Sequence, residues 1–284
     1  MQARLLVAYD GAGFRGFAPN PGTRTVLGVL TDAVTTVTRI PFEPTGAGRT
    51  DAGVHAWGQV VSGDLPEGTD LTDLQRRVNK LTGGEVVIRE VAWADADFDA
   101  RFSATSRTYR YHVWNDPVPH PLAGRTSWHV ARPLALWAMQ AAGDPLVGEH
   151  DFSSFCRAPK VSPKVSEAQP APSLVRRVRS VRWRRLGDTP MLRFEITATS
   201  FCHQMVRSIV GTMVDVGLGK RTPGEITAVL RARDRAAAPT VAPPHGLVLW
   251  EVGYDGERWD APAAPRASAT TPGPGLVADA ERGC

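Results

Sequence analysis

The sequence predicts an α+β protein built as two halves of related architecture, and three observations carry that prediction. Segments of two-residue apolar alternation are interleaved with segments of helical spacing, and the series runs through two successive rounds. Turns rich in glycine, proline and aspartate separate the segments. The 284 residues, 42% hydrophobic and 22% charged, leave room for two cores of ordinary globular composition.

In the first round, Arg4 to Tyr9 reads as a strand. Thr25 to Ile40 places Val26, Leu30, Val34 and Val37 at helical spacing. Trp57 to Val61 is a strand with room for another just before it, and Leu71 to Leu81 is a helix. Gly83-Gly84 stops that helix, and Glu85 to Trp93 follows as a strand.

The second round opens with a strand from Thr108 to Trp114 and a helix from Leu134 to Ala142. Leu174 to Leu186 and Met191 to Thr199 form a hairpin about Gly187-Asp188. Helices follow from Cys202 to Gly217 and from Pro223 to Arg233, and Leu247 to Tyr254 is the last strand. The domain expectation is 1–104 for one half and 105–260 for the other. Ala158 to Pro172, with four prolines, reads as an exposed loop, and 261–284 as a disordered tail.

The helix from Cys202 carries Met205, Ile209, Met213 and Val216 on one face, with Val206, Val210 and Val214 beside it. A helix apolar most of the way round is buried. Arg207 within it therefore calls for a carboxylate partner, and Asp215 and Glu195 are both open possibilities.

Bulk properties exclude several classes. Three cysteines without a CxxC pair support neither a zinc ribbon nor a disulfide scaffold. The apolar run at the N-terminus is too short for a signal peptide, and no stretch of membrane-spanning length is free of charge, so the cytoplasm is expected. The net charge of +4 is a slight pointer to a polyanion. Six arginines between Arg176 and Arg185 are a stronger one, offering either an edge for an RNA backbone or a solvated strand.

Two motifs mislead. Gly11-Ala12-Gly13-Phe14-Arg15-Gly16 fits the dinucleotide fingerprint, yet prolines at 19 and 21 follow where a helix should open, and Asp32 falls inside a helix. Arg15-Gly16-Phe17-Ala18 begins an RNA-recognition signature that fails at Pro19 and Asn20. Neither Asp51 with His55, Glu149-His150-Asp151, nor Cys202-His203 has metal-ligand spacing, so no metal is expected.

The most informative run is Gly48-Arg49-Thr50-Asp51-Ala52-Gly53-Val54-His55, which sets one carboxylate in a glycine-bracketed turn. Arg49 adds a cation suited to phosphate or a base plane. Downstream stand Ala100-Arg101-Phe102-Ser103-Ala104-Thr105, then Arg107-Thr108-Tyr109-Arg110-Tyr111, and later Met205-Val206-Arg207-Ser208-Ile209-Val210-Gly211. Tyr111, Trp114, His55 and His203 are read as structural.

Together these patches closely resemble the tRNA pseudouridine synthase A family, from about Arg4 to Tyr254. The resemblance implies two ferredoxin-like halves, with antiparallel or mixed sheets flanked by helices and an active-site cleft between them. It implies isomerisation of uridine to pseudouridine at positions 38 to 40 of the tRNA anticodon stem-loop, by a cytoplasmic homodimer needing neither cofactor nor metal. Asp51 takes the place of the catalytic aspartate, which attacks the ribose as nucleophile or takes a sugar proton. Tyr109 takes that of the tyrosine against the uracil ring, Arg207 that of the arginine paired with the aspartate, and Arg49 that of the arginine that displaces the base. Gly16-Phe17-Ala18-Pro19 departs from the family's usual Gly-Trp-Gln element at this loop. A non-catalytic RNA-binding protein or RNA chaperone on the same scaffold is the alternative, with a nicotinamide oxidoreductase as the more distant rival.

Overall fold

The computed structural model describes residues 1–157 and 173–254. The loop and the tail expected at 158–172 and 261–284 lie outside the described residues. Among these residues, fifteen α-helices and strands run in the order β1 (Gln2–Tyr9), α1 (Val26–Thr38), β2 (Thr45–Gly46), β3 (His55–Asp64), α2 (Leu71–Leu81), β4 (Val86–Trp93), β5 (Ala104–Trp114), β6 (Trp128–His129), α3 (Leu136–Gly143), β7 (Gly148–Asp151), β8 (Val175–Arg185), β9 (Met191–Ala198), α4 (Met205–Gly217), α5 (Glu225–Ala232) and β10 (Leu247–Tyr254).

Local chemistry explains the boundaries. β1 alternates, with Ala3, Leu5 and Val7 fully buried, and each such side chain contributes about 1.5–3 kcal/mol if it is large. Thr25 caps α1 by accepting from the Gly28 N–H, and Val26, Leu30 and Val34 form its inner stripe. Asp70 caps α2 by accepting from the Thr72 and Asp73 N–H groups. Gly83 and Gly84, both at positive φ, turn the chain out of α2 toward β4.

The two rounds of the sequence do not make separate sheets. One ten-stranded mixed sheet, flanked by helices, runs β4-β1-β3-β10-β5-β9-β8-β7, with β2 added on β3 and β6 on β5. The last strand, β10, is antiparallel to β5 and parallel to β3, so it joins what the first round built to what the second built. β1 lies along the whole of one side of β3. The other side is shared: β2 pairs with Val61 and Ser62, whereas β10 pairs with His55 and Ala56. The turn from 47 to 54 leaves β2 at this change of partner.

Two expectations need adjusting. The arginine-rich strand β8 is an edge only in part, because β7 pairs with it over Val175 to Val178 and, among the described residues, leaves Arg179 to Arg185 without a strand on that side. Helix α4 begins at Met205 rather than Cys202, since Gln204 stands in the left-handed region at φ 63° and the residues before it are not helical. Every residue of α4 is buried except Arg207.

Candidate active site

The Asp51 turn is held by its neighbours. The Val54 N–H donates to the Asp51 carbonyl, and Gly53 adopts φ +78°, a conformation that disfavours any side chain. Thr50 points inward, its hydroxyl 2.8 Å from the Tyr9 hydroxyl, and its carbonyl accepts from the Phe17 N–H. Gly48 does not share the role given to Gly53, because a side chain there would meet open space.

The glycine-rich loop after β1 supports this turn and opens no α-helix. Residues Gly11–Gly13 form one 3-10 turn, and α1 starts only at Val26. A Cβ on Gly11 would lie 2.0 Å from the Val54 carbonyl oxygen, so only glycine fits. Phe17 is buried and stacks on Tyr9 with ring centroids 6.1 Å apart. His55 bridges this loop to the segment before β10: Nδ1 accepts from the Gly11 N–H at 3.1 Å, and Nε2 stands 3.1 Å from the His245 carbonyl oxygen. A cleft of about 420 Å³, lined by Ala12 to Arg15 with Ala52 and Gly53, opens beside the turn.

Arg207 finds its partner across the sheet. Its Nη1 lies 3.0 Å from Asp51 Oδ2, and its Nε donates to the Ala242 carbonyl at 2.8 Å. The alternatives are engaged elsewhere. Glu195 pairs with Arg110 at 2.6 Å, while Asp215 accepts from Lys220 at 2.9 Å and from Thr240 at 2.6 Å. Both side chains of the Arg207–Asp51 pair remain slightly exposed, at 14% and 24%, which leaves one side of the carboxylate open.

Tyr109 comes to the same place from β5. Burial chiefly, and then the Asp51 charge, push its phenol well above the ordinary tyrosine range. Burial does the same to Tyr9 and Tyr111, and Tyr111 is fully in the core. Burial pushes the His245 imidazole down. Arg49 is exposed, two residues from Asp51 and facing outward.

Three residues to which the sequence reading gave no role in the site belong to this arrangement. The non-helical segment before α4 sets Phe201 edge-on to Tyr109 with centroids 5.1 Å apart, and brings His203 Nε2 to 3.3 Å from Asp51 Oδ1. Arg107 donates to four carbonyls, those of Ala47, Arg101, Ala104 and Thr199, between 2.8 and 3.1 Å. It thereby ties the start of the Asp51 turn to the start of the Phe201 segment. The signals were its place in the Arg107-Thr108-Tyr109 run and, for His203, its adjacency to the arginine helix.

Among the described residues no group of three or more His, Cys, Asp or Glu side chains is arranged to hold a metal ion. Nor, among them, is any helix long and apolar enough to cross a membrane. The site brings together a carboxylate, two cationic or hydrogen-bonding partners and a neutral phenol, partly closed from solvent.

Comparison with known proteins agrees with the motifs. Residues 142–255 match the family model described as tRNA pseudouridine synthase. The chain is 40% identical over 251 residues to tRNA pseudouridine synthase A of Brevibacillus brevis, covering 88% of this chain and 98% of that one. It is 41% identical over 279 residues to the protein of the same name from Frankia casuarinae, with 95% and 94% covered. For that from Bacillus subtilis the values are 37% over 259 residues, with 90% and 100% covered. Among solved structures, the archaeal box H/ACA sRNP Nop10-Cbf5 complex aligns at 11% identity and a TM-score of 0.32, covering 76% of this chain and 44% of that one, too slight a likeness to argue from. The similarity to the curated relatives, over nearly their whole length, places this chain in the tRNA pseudouridine synthase A family.

Proposed function

We propose that this protein isomerises uridine to pseudouridine in tRNA, at positions 38 to 40 of the anticodon stem-loop. The observation that carries the reading is the meeting of Asp51, Arg207 and Tyr109, from three distant parts of the chain, at one partly open carboxylate. The relatives' name supports tRNA as the substrate. The positions within it come from the motif resemblance.

In the reaction the bond from uracil N1 to ribose C1′ breaks, the base turns, and C5 bonds to C1′. A proton leaves C5 and N1 gains one, so no atom is added and no redox partner is required. Asp51 acts as nucleophile at the ribose, covalently holding the sugar while the base turns. Arg207 balances its charge and fixes its plane. Tyr109 lies against the uracil with a neutral hydroxyl near the proton to be lost. Arg49 fills the stack that the flipped uridine leaves, offsetting a cost of a few kcal/mol. Exposed arginines of β8, among them Arg182 and Arg185, extend the basic surface for the RNA backbone.

The strand orders support two ferredoxin-like halves, 1–104 and 105–260. β2, β3, β1 and β4 lie in one such order, and β8, β9, β5 and β10 repeat it. On this reading the protein is a cytoplasmic homodimer working without metal or cofactor.

The test is release of tritium from C5-labelled uridine in tRNA by the purified protein, with pseudouridine mapped in the product. Pseudouridine at 38 to 40 is the expected result, and Asp51→Ala should bind tRNA as wild type does yet release nothing. Wild-type protein that binds tRNA but leaves release at background would replace this reading with that of an RNA chaperone.

A further inference from the structure

Each Asp51 oxygen has a basic side chain beside it, and the two partners differ in exposure. Oδ2 faces Arg207, whose side chain is 14% exposed, and Oδ1 faces His203, whose ring is 49% exposed. The segment that carries His203 is itself well fixed. The His203 carbonyl accepts from the Arg157 N–H at 3.0 Å, and the Gln204 carbonyl accepts from the Ser208 N–H at 2.9 Å. Gln204 at φ 63° turns the chain sharply into α4, and no side chain caps that helix.

We propose that His203 is a positioning residue for Asp51. Its Nε2 holds Oδ1 while Arg207 holds Oδ2, which fixes the carboxylate plane and makes Oδ1 the oxygen that meets the ribose. A carboxylate oxygen has two lone-pair directions, so a single partner leaves the other free. Oδ2 faces the more buried partner, Arg207, whereas Oδ1 faces the more exposed one, His203. The inference rests on the functional reading above and deepens it.

The experiment compares wild type with His203→Ala and His203→Gln in single-turnover tritium release from C5-labelled tRNA, alongside tRNA Kd and Tm. A misplacement of about 1 Å costs on the order of 100-fold in rate. The expected loss for His203→Ala is therefore about 10- to 100-fold, with Kd and Tm unchanged. Glutamine presents an N–H at nearly the same reach, so His203→Gln should regain most of the rate. Wild-type speed in His203→Ala overturns the proposal. So does a loss explained by weaker tRNA binding, or a glutamine variant as slow as the alanine one. Absence of product with wild type itself would instead remove the functional reading, and the His203 proposal with it.

Discussion

Arg207 Nη1 and Asp51 Oδ2 stand 3.0 Å apart although 156 residues separate them in the chain. The pair closes the joint where β3 exchanges β2 for β10, and ties the only incompletely buried side chain of α4 to the turn beside that joint. Removing one partner leaves a charge in a partly desolvated place. We expect Arg207→Ala to lose about 2–4 kcal/mol of stability, the upper end reserved for a fully buried pair. Asp51→Ala combined with Arg207→Ala should cost clearly less than the sum of the two, because neither charge is then orphaned. Urea denaturation of the four proteins measures the coupling, and strict additivity would show that the two side chains do not interact.

All four tyrosines, Tyr9, Tyr109, Tyr111 and Tyr254, have phenols pushed upward, in each case chiefly by burial. A raised folded-state value means that the folded protein holds its phenolic protons more tightly than the unfolded chain, where tyrosine ionises near 10. The stability from these four groups is complete below about pH 10 and is lost as pH climbs through the folded values. Tyrosinate absorbance should therefore stay absent in the native protein and appear only together with unfolding. A tyrosine titrating near 10 while circular dichroism stays native would contradict this.

Arg107→Lys should be far from conservative. A guanidinium reaches four carbonyls on separate stretches of chain, and a single ammonium cannot. A loss of about 1–3 kcal/mol is expected, from carbonyls left without donors. Because Ala47 and Thr199 lead into the Asp51 turn and the Phe201 segment, turnover should fall as well. An unchanged Tm in thermal melts would show that solvent takes the place of the lost donors.

Arg49 is exposed, so Arg49→Ala should leave Tm within experimental scatter. On the proposed function it slows pseudouridine formation in a paired stem more than in an unpaired RNA, where the base needs no displacement from a stack. Equal slowing on both substrates would assign Arg49 to simple phosphate attraction, which a shallower salt dependence of tRNA binding in the variant would also reveal.

Most elements were legible before the structure, because a strand or helix with one buried face writes its own period into the chain. α2 falls at the expected Leu71–Leu81 and β10 at Leu247–Tyr254, and α4 is as buried as its apolar circumference implies. Short pieces were not legible. β6, β7 and the 3-10 turns are too brief to show a period, and they exist because a neighbouring strand or cap holds them. α4 starts three residues later than the expected Cys202, because nothing in the local pattern marks Cys202 to Gln204 as lying outside the helix. Contacts of Phe201 with Tyr109 and of His203 with Asp51 override that local pattern.

By itself the sequence determined the kinds of element, the glycine-bracketed turn that carries Asp51, and the need for an acid beside Arg207. Spacing alone left Asp215 and Glu195 open and the motif resemblance named Asp51; the tertiary structure sets Asp51 3.0 Å from Arg207 and turns Glu195 to Arg110 and Asp215 to Lys220. It also decided that β10 joins the halves in one sheet, and that His203 and Arg107 reach the Asp51 turn. The reason is physical: periodicity records what each segment buries, whereas pairing across 156 residues depends on how the packed layers meet.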